Sequence, residues 1–80
     1  MNKCICAKID EGIDGMIKAV GTLRRKEFEI LEVFMSEKNK ETELKIVIED
    51  PNDTNAEKAL NHLKKIYGIR EVKILFTGGN

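Results

Sequence analysis

The chain has no tryptophan, and three phenylalanines and one tyrosine are its whole aromatic complement. Surfaces that stack nucleic-acid bases need aromatic side chains on exposed strands, so a base-stacking platform is excluded. Neither sign of charge prevails: 14 basic and 14 acidic residues leave a formal net charge of zero. The bulk electrostatic reason to bind nucleic acid or an anionic membrane is therefore missing. No apolar run approaches the roughly 20 residues of a membrane span. The start "MNKCICAKIDEG" is too soon interrupted by charge to serve as a signal peptide, so a cytoplasmic location is expected. There the two cysteines, Cys4 and Cys6, are expected as reduced thiols. Histidine occurs once, at His62, and the carboxylates are scattered at surface spacing, so no acid–base pair is legible. No catalytic residue, metal site or cofactor is expected.

What is present is periodicity. Apolar residues make up 41% of the 80 positions, enough for one small domain spanning 1–80 with its core at about 3–76. "KCICAKID" alternates, with Ile5, Ala7 and Ile9 on one face and Cys4, Cys6 and Lys8 on the other. From Asp14 to Lys26 the spacing becomes helical, at Met16, Ile17, Val20 and Leu23. Asp14 is the predicted N-cap, and Arg24, Arg25 and Lys26 suit the C-terminal end of the helix dipole. "EILEVFMSE" returns to period two, with Leu31, Val33 and Met35 opposite Ile30, Glu32 and Phe34. "KNKE" is a polar turn, and "ELKIVIED" sets Leu44, Ile46 and Ile48 against Lys45, Val47 and Glu49. "DPNDTN" is turn chemistry in which Thr54 or Asn55 can cap a second helix. That helix carries a stripe of Ala56, Ala59, Leu60, Leu63, Ile66 and Tyr67, closed by Gly68 as C-cap. "IREVKILFT" is a last strand with Val72, Ile74 and Phe76 on one face, and "GGN" a frayed end.

The order β-α-β-β-α-β with right-handed crossovers predicts an α+β, ferredoxin-like sandwich. It has a four-stranded antiparallel sheet with two helices on one face. The other face is left with Cys4, Cys6, Val47 and Leu75 among charges, and the open edges can be closed by a dimer. Domains of this shape that act on RNA need aromatics on the central strands, which "KCICAKI" and "ELKIVIE" lack. Metallochaperones of this shape need C-x-x-C in the first loop. Here Cys4-Ile5-Cys6 lies within the strand, and two thiols with no third ligand make a poor site. Acylphosphatase-like enzymes need an Arg and an Asn, and "EGIDG" has no arginine to hold a phosphate. His62 is expected at a boundary, Tyr67 in packing, and Arg24, Arg25 and Lys26 in solvent.

Binding is what remains, and "EGIDGMI" is where it would occur. Gly12 loosens the strand exit and Gly15 opens the helix, which lets a ligand approach backbone N–H groups at a helix N-terminus. Asp14 disfavours a bare anion and tolerates a zwitterion whose ammonium faces it.

The stretch "GMIKAVGTLRRKEFEILEVFM", through Gly15, Leu23, Arg24, Arg25, Phe28 and Ile30, resembles the ACT domains. More narrowly it resembles the short regulatory subunit of acetolactate synthase. "ELKIVIED" and "ALNHLKKIYGIREVKIL" continue the likeness, which spans about Lys3 to Leu75. Gly12 stands where that family usually has a ligand-holding Asn, and Asp14 where it has a Pro. The resemblance implies a non-catalytic regulatory chain that forms a homodimer side by side through its second strand and first helix. It implies association with the large catalytic, thiamine-diphosphate subunit of that synthase, in branched-chain amino-acid biosynthesis. A branched-chain amino-acid effector would then lie along Gly12, Ile13, Asp14, Gly15, Met16 and Ile17. The N–H groups of Gly15 and Met16 would take its carboxylate, and Ile13, Met16 and Ile17 its tail. Two other readings stay open: a free-standing ACT amino-acid sensor for another metabolic enzyme, and a ligand-free structural dimerisation module.

Overall fold

A computed structural model describes residues 1–75. Six elements follow one another: β1 (Asn2–Ile9), α1 (Ile13–Arg25), β2 (Ile30–Lys38), β3 (Glu41–Glu49), α2 (Asn55–Lys64) and β4 (Ile69–Leu75). The strands form one antiparallel sheet in the order β2-β3-β1-β4. This is the predicted ferredoxin-like arrangement. Phe76 and the glycine-rich end, 77–80, lie outside the described residues.

The alternation in the two central strands decides which face carries the core. Ile5, Ala7 and Ile9 of β1 pair across the sheet with Ile46, Leu44 and Thr42 of β3. Against this apolar face pack Ala19 and Leu23 of α1 and Ala56, Ala59 and Leu63 of α2. The small residues let both helices sit close, and burial of the larger ones supplies about 1.5–3 kcal/mol each.

Several local expectations are corrected by tertiary structure. Ile30 faces the helices with Ile48, its partner, because Leu31 is an extra residue in a bulge, after which Glu32 pairs with Val47 and Val33 with Ile46. The bulge reverses the alternation there, a shift that period-two reading misses. Ile17, predicted for the core stripe, is 58% exposed, since Gly15, Ala19 and Leu23 form the inward line instead. Tyr67 is 88% exposed, not packed, because α2 ends at Lys64 and the stripe leaves its helical phase. The C-cap is Lys65, while Gly68 lies beyond it at φ 87°, serving the turn into β4. His62 sits at a boundary as expected, edge-on to Phe28 with ring centroids 6.0 Å apart.

Capping is also redistributed. Asp14 lies within the first turn of α1, and the N-cap is Gly12, with no side-chain cap. Thr54 is the N-cap of α2, yet its hydroxyl caps nothing. The buried Asp50 does that work from four residues upstream. Its Oδ1 accepts the N–H groups of Thr54 (3.1 Å) and Asn55 (2.8 Å), and its Oδ2 that of Ala56 (3.0 Å).

The β2–β3 turn is tighter than "KNKE" suggested, because only Asn39 and Lys40 lie outside the strands. Their φ values of 55° and 66° are those of a type I′ hairpin turn. Lysine is poorly suited to the second of these positions. Lys40→Gly is expected to raise stability by about 1 kcal/mol by removing the left-handed strain of a side-chain residue. A urea midpoint that stays fixed or falls would refute this account of the turn.

Candidate functional site

The β1–α1 junction is held from three sides. The Asp10 N–H donates to the Gly68 carbonyl at 2.8 Å, and Arg70 Nε donates to Asp10 Oδ1 at 2.8 Å. Lys18, one turn into α1, holds Glu11 Oε1 at 2.7 Å. The two acidic groups before the helix are thus neutralised, and Asp14 in the first turn is the exposed carboxylate left facing solvent.

The two glycines have different reasons. Gly12 has φ 57° and ψ −129°, a conformation closed to side-chain residues, with no heavy atom within 4 Å of where a Cβ would stand. Its backbone therefore borders open space. Gly15 has an ordinary helical φ but is buried, and a Cβ there would lie 3.2 Å from Ile9 Cβ. Glycine at 15 lets α1 settle onto β1.

The six predicted site residues divide accordingly. Ile13 and Ile17, four apart, share an outward flank of α1 and are 57% and 58% exposed. Met16 packs inward against the core, and its N–H donates to the Gly12 carbonyl at 3.1 Å. That amide is engaged in the helix, so the groups without a partner inside α1 are the N–H groups of Ile13, Asp14 and Gly15. Any ligand at this terminus would meet these three in place of the Gly15–Met16 pair.

A second feature is legible only in the folded chain. One flank of β2 pairs with β3, and among the described residues the other carries no strand; residues 31–38 are all exposed. Leu31, Val33, Phe34 and Met35 are 36–52% exposed despite their apolar character. The opposite edge, β4, is interrupted. Lys73 pairs with Cys6 and Arg70 with Lys8, so Glu71 and Val72 together oppose Ala7, and Glu71 has φ 52°. Such a bulge twists and blunts an edge. The sheet therefore has one long apolar edge open to pairing and one that is spoiled for it.

Part of the charge on the helix-free face is paired within it. Lys8 Nζ lies 2.8 Å from Glu41 and 3.6 Å from Glu71, and Arg70 reaches Glu41 at 3.6 Å. The hydrogen bond and charge of Lys8 hold the Glu41 carboxyl below its ordinary range. The hollow lined by Lys8, Lys38, Asn39, Glu41 and Glu43 is bridged by the Lys8–Glu41 ion pair. Among the described residues no group of three or more His, Cys, Asp or Glu is placed to hold a metal. Among the described residues no helix is long and apolar enough to cross a membrane.

No family model and no curated protein sequence matches the chain. Solved structures do. The ACT domain of GTP pyrophosphokinase from Chlorobium tepidum is similar in crystal form, with a TM-score of 0.76, 15% identity and coverage of 94% of this chain and 97% of that one. Its solution structure gives a TM-score of 0.77 at 15% identity, covering 94% and 85%. The acetolactate synthase small subunit from Thermotoga maritima gives a TM-score of 0.79 at 17% identity, covering 98% of this chain and 49% of that one. The fold is that of the ACT domains.

Proposed function

We propose that the chain is a non-catalytic regulatory subunit, a single ACT-like domain that pairs with its own copy through β2. In this reading it associates with the catalytic subunit of acetolactate synthase and activates or feedback-regulates it in the cytoplasm. The observation that carries the pairing is the asymmetry of the two edges. A nine-residue strand with four exposed apolar side chains is open at β2, while β4 is bulged. Support for the partner is the likeness over 98% of this chain to a small subunit of that synthase. The likeness to a GTP pyrophosphokinase domain equally supports a sensor attached to, or acting on, another enzyme.

The effector site of this proposal runs from Gly12 to Ile17. A carboxylate meets the N–H groups at the start of α1, an ammonium meets Asp14, and an aliphatic tail lies along Ile13 and Ile17. Placing both sides of this site at the dimer seam makes ligand binding sensitive to pairing.

Two measurements test the reading. In sedimentation the chain runs as a dimer, and Val33→Asp with Met35→Asp shifts it to monomer without loss of helical signal; a dimer that survives both substitutions would refute β2 pairing. Added to a purified acetolactate synthase catalytic subunit, the dimer raises the rate of pyruvate condensation. Calorimetry with valine, leucine and isoleucine, glycine serving as control, then separates feedback regulation from activation alone. No change in rate and no complex would remove the synthase from the proposal.

A further inference from the structure

Outward from Phe34, β2 reads the same way in both directions: apolar at Val33 and Met35, then polar at Glu32 and Ser36. Pairing with β3 fixes where each side chain goes. Val33 and Met35 stand opposite the buried Ile46 and Leu44, so they lie on the helix-covered face. Glu32, Phe34 and Ser36, opposite Val47, Lys45 and Glu43, lie on the other face. The hairpin fixes where each backbone group goes. Its two-residue type I′ turn is closed by Lys38 and Glu41 as a hydrogen-bonded pair, and such pairs alternate along an antiparallel ladder. Ser36, Phe34 and Glu32 therefore bond to β3, whereas Val33, Met35 and Glu37 turn their N–H and C=O groups to the free edge.

Resting on the β2 pairing of the proposed function, we propose that a second copy docks antiparallel in one register, with Phe34 on the two-fold axis and facing Phe34 of that copy. Directly opposed residues of an antiparallel pair share a face and a bonding class, so the axis must pass through one residue position. With Phe34 there, Val33 meets Met35 of the second copy twice over. Apolar then faces apolar on the helix-covered side, joined by the backbone groups that the edge leaves free. Phe34 forms a non-hydrogen-bonded pair, the closer kind, in which two aromatic rings pack on the opposite side. Glu32 meets Ser36, polar against polar.

The neighbouring registers match less well. With the axis at Met35, Val33 faces the Glu37 carboxylate; the gain is a Glu32–Lys38 pair, and an exposed ion pair contributes little. With the axis at Val33, Phe34 faces the Glu32 carboxylate and Met35 the bulged Leu31. Further shifts shorten the ladder. The edge is thus complementary to itself, and its partner is a second copy of this chain rather than any strand with free backbone groups.

The test is disulfide trapping in the intact chain, at a concentration where sedimentation shows the dimer. Cys4 and Cys6 stay in place, since both are buried, and the wild type is the control for them. Opposed residues of a non-hydrogen-bonded pair have Cα atoms about 4.5 Å apart, within disulfide range. Under mild oxidation Phe34→Cys shifts to a covalent dimer on a non-reducing gel. Val33→Cys and Met35→Cys, each a diagonal neighbour of its own counterpart at about 7–8 Å, do not. Should loss of the ring weaken the dimer, the wild type gives a second measurement. In dimers of one carbon-13-labelled and one unlabelled chain, nuclear Overhauser contacts join the Val33 methyls to the Met35 methyl of the other chain. Absence of these contacts, or trapping through Val33→Cys or Met35→Cys in place of Phe34→Cys, would overturn the register and leave β2 pairing standing. A dimer trapped at none of the three positions and lacking the contacts, or a wild type that sediments as a monomer, would overturn β2 pairing itself.

Discussion

Asp50→Ala is expected to lower the stability of the chain by about 3 kcal/mol, among the largest effects of any single substitution away from the hydrophobic core. The reason is that one buried carboxylate accepts three successive backbone N–H groups at the start of α2. Its removal leaves three donors without their acceptor, that of Ala56 in a buried setting. Asp50→Asn keeps an acceptor oxygen and loses the charge, so its cost falls between those of the wild type and Ala. The pH dependence has a definite sign. Burial alone would raise the Asp50 carboxyl, but the three N–H donors and the nearby Lys3 prevail and hold it below its ordinary range. Its contribution is therefore complete above the ordinary carboxylate range, near pH 4, and is lost as the pH falls through the lower folded value. Urea midpoints measured from pH 7 down to pH 2 check this. The wild type loses more stability on acidification than Asp50→Ala, and parallel curves would show that the carboxylate is not the cap.

The second large effect separates the two glycines of the first loop. Gly15→Ala forces a methyl group to within 3.2 Å of Ile9 Cβ, an atom fixed in the central strand. Either α1 or β1 must move, at about 1–3 kcal/mol, as for other overpacked cores. Gly12→Ala meets no neighbour but must hold φ 57° and ψ −129°, which costs about 1–3 kcal/mol through the backbone alone. The two variants therefore lose similar stability for different causes. Chemical denaturation shows the loss in both, and Gly15→Ser, bulkier than Ala, exceeds Gly15→Ala. Equal midpoints for wild type and Gly15→Ala would mean that the helix rides higher on the sheet than described.

Much of this fold was legible in the sequence because its central strands alternate without interruption. Leu44, Ile46 and Ile48 against Lys45, Val47 and Glu49 admit one reading, and β3 adopts it. Where the chain departs from strict period, legibility ends. The bulge at Leu31 hides in the apolar pair Ile30-Leu31, and Tyr67 continues a helical stripe that the backbone has already left. Asp50 was missed because its role spans a turn. The sequence marks it only as the first residue of "DPNDTN", a stretch in which Thr54 and Asn55 are the more obvious caps. The loop glycines stand out in the sequence, but spacing cannot tell a glycine needed for φ from one needed for contact. That distinction lies in Ile9, six residues before Gly15 in the chain and against it in space.

The difference between the two edges of the sheet has a meaning in the language of polymer growth. A unit with two reactive ends links into chains, and a unit with one reactive end stops at a pair. The bulge that puts Glu71 at φ 52° opposite Ala7 takes β4 out of use, and β2 is left as the single reactive end. Two copies joined there expose only their β4 edges, so the extended sheet terminates itself. Straightening β4 would give each copy a second valence, and with it a route from a closed pair to a fibre.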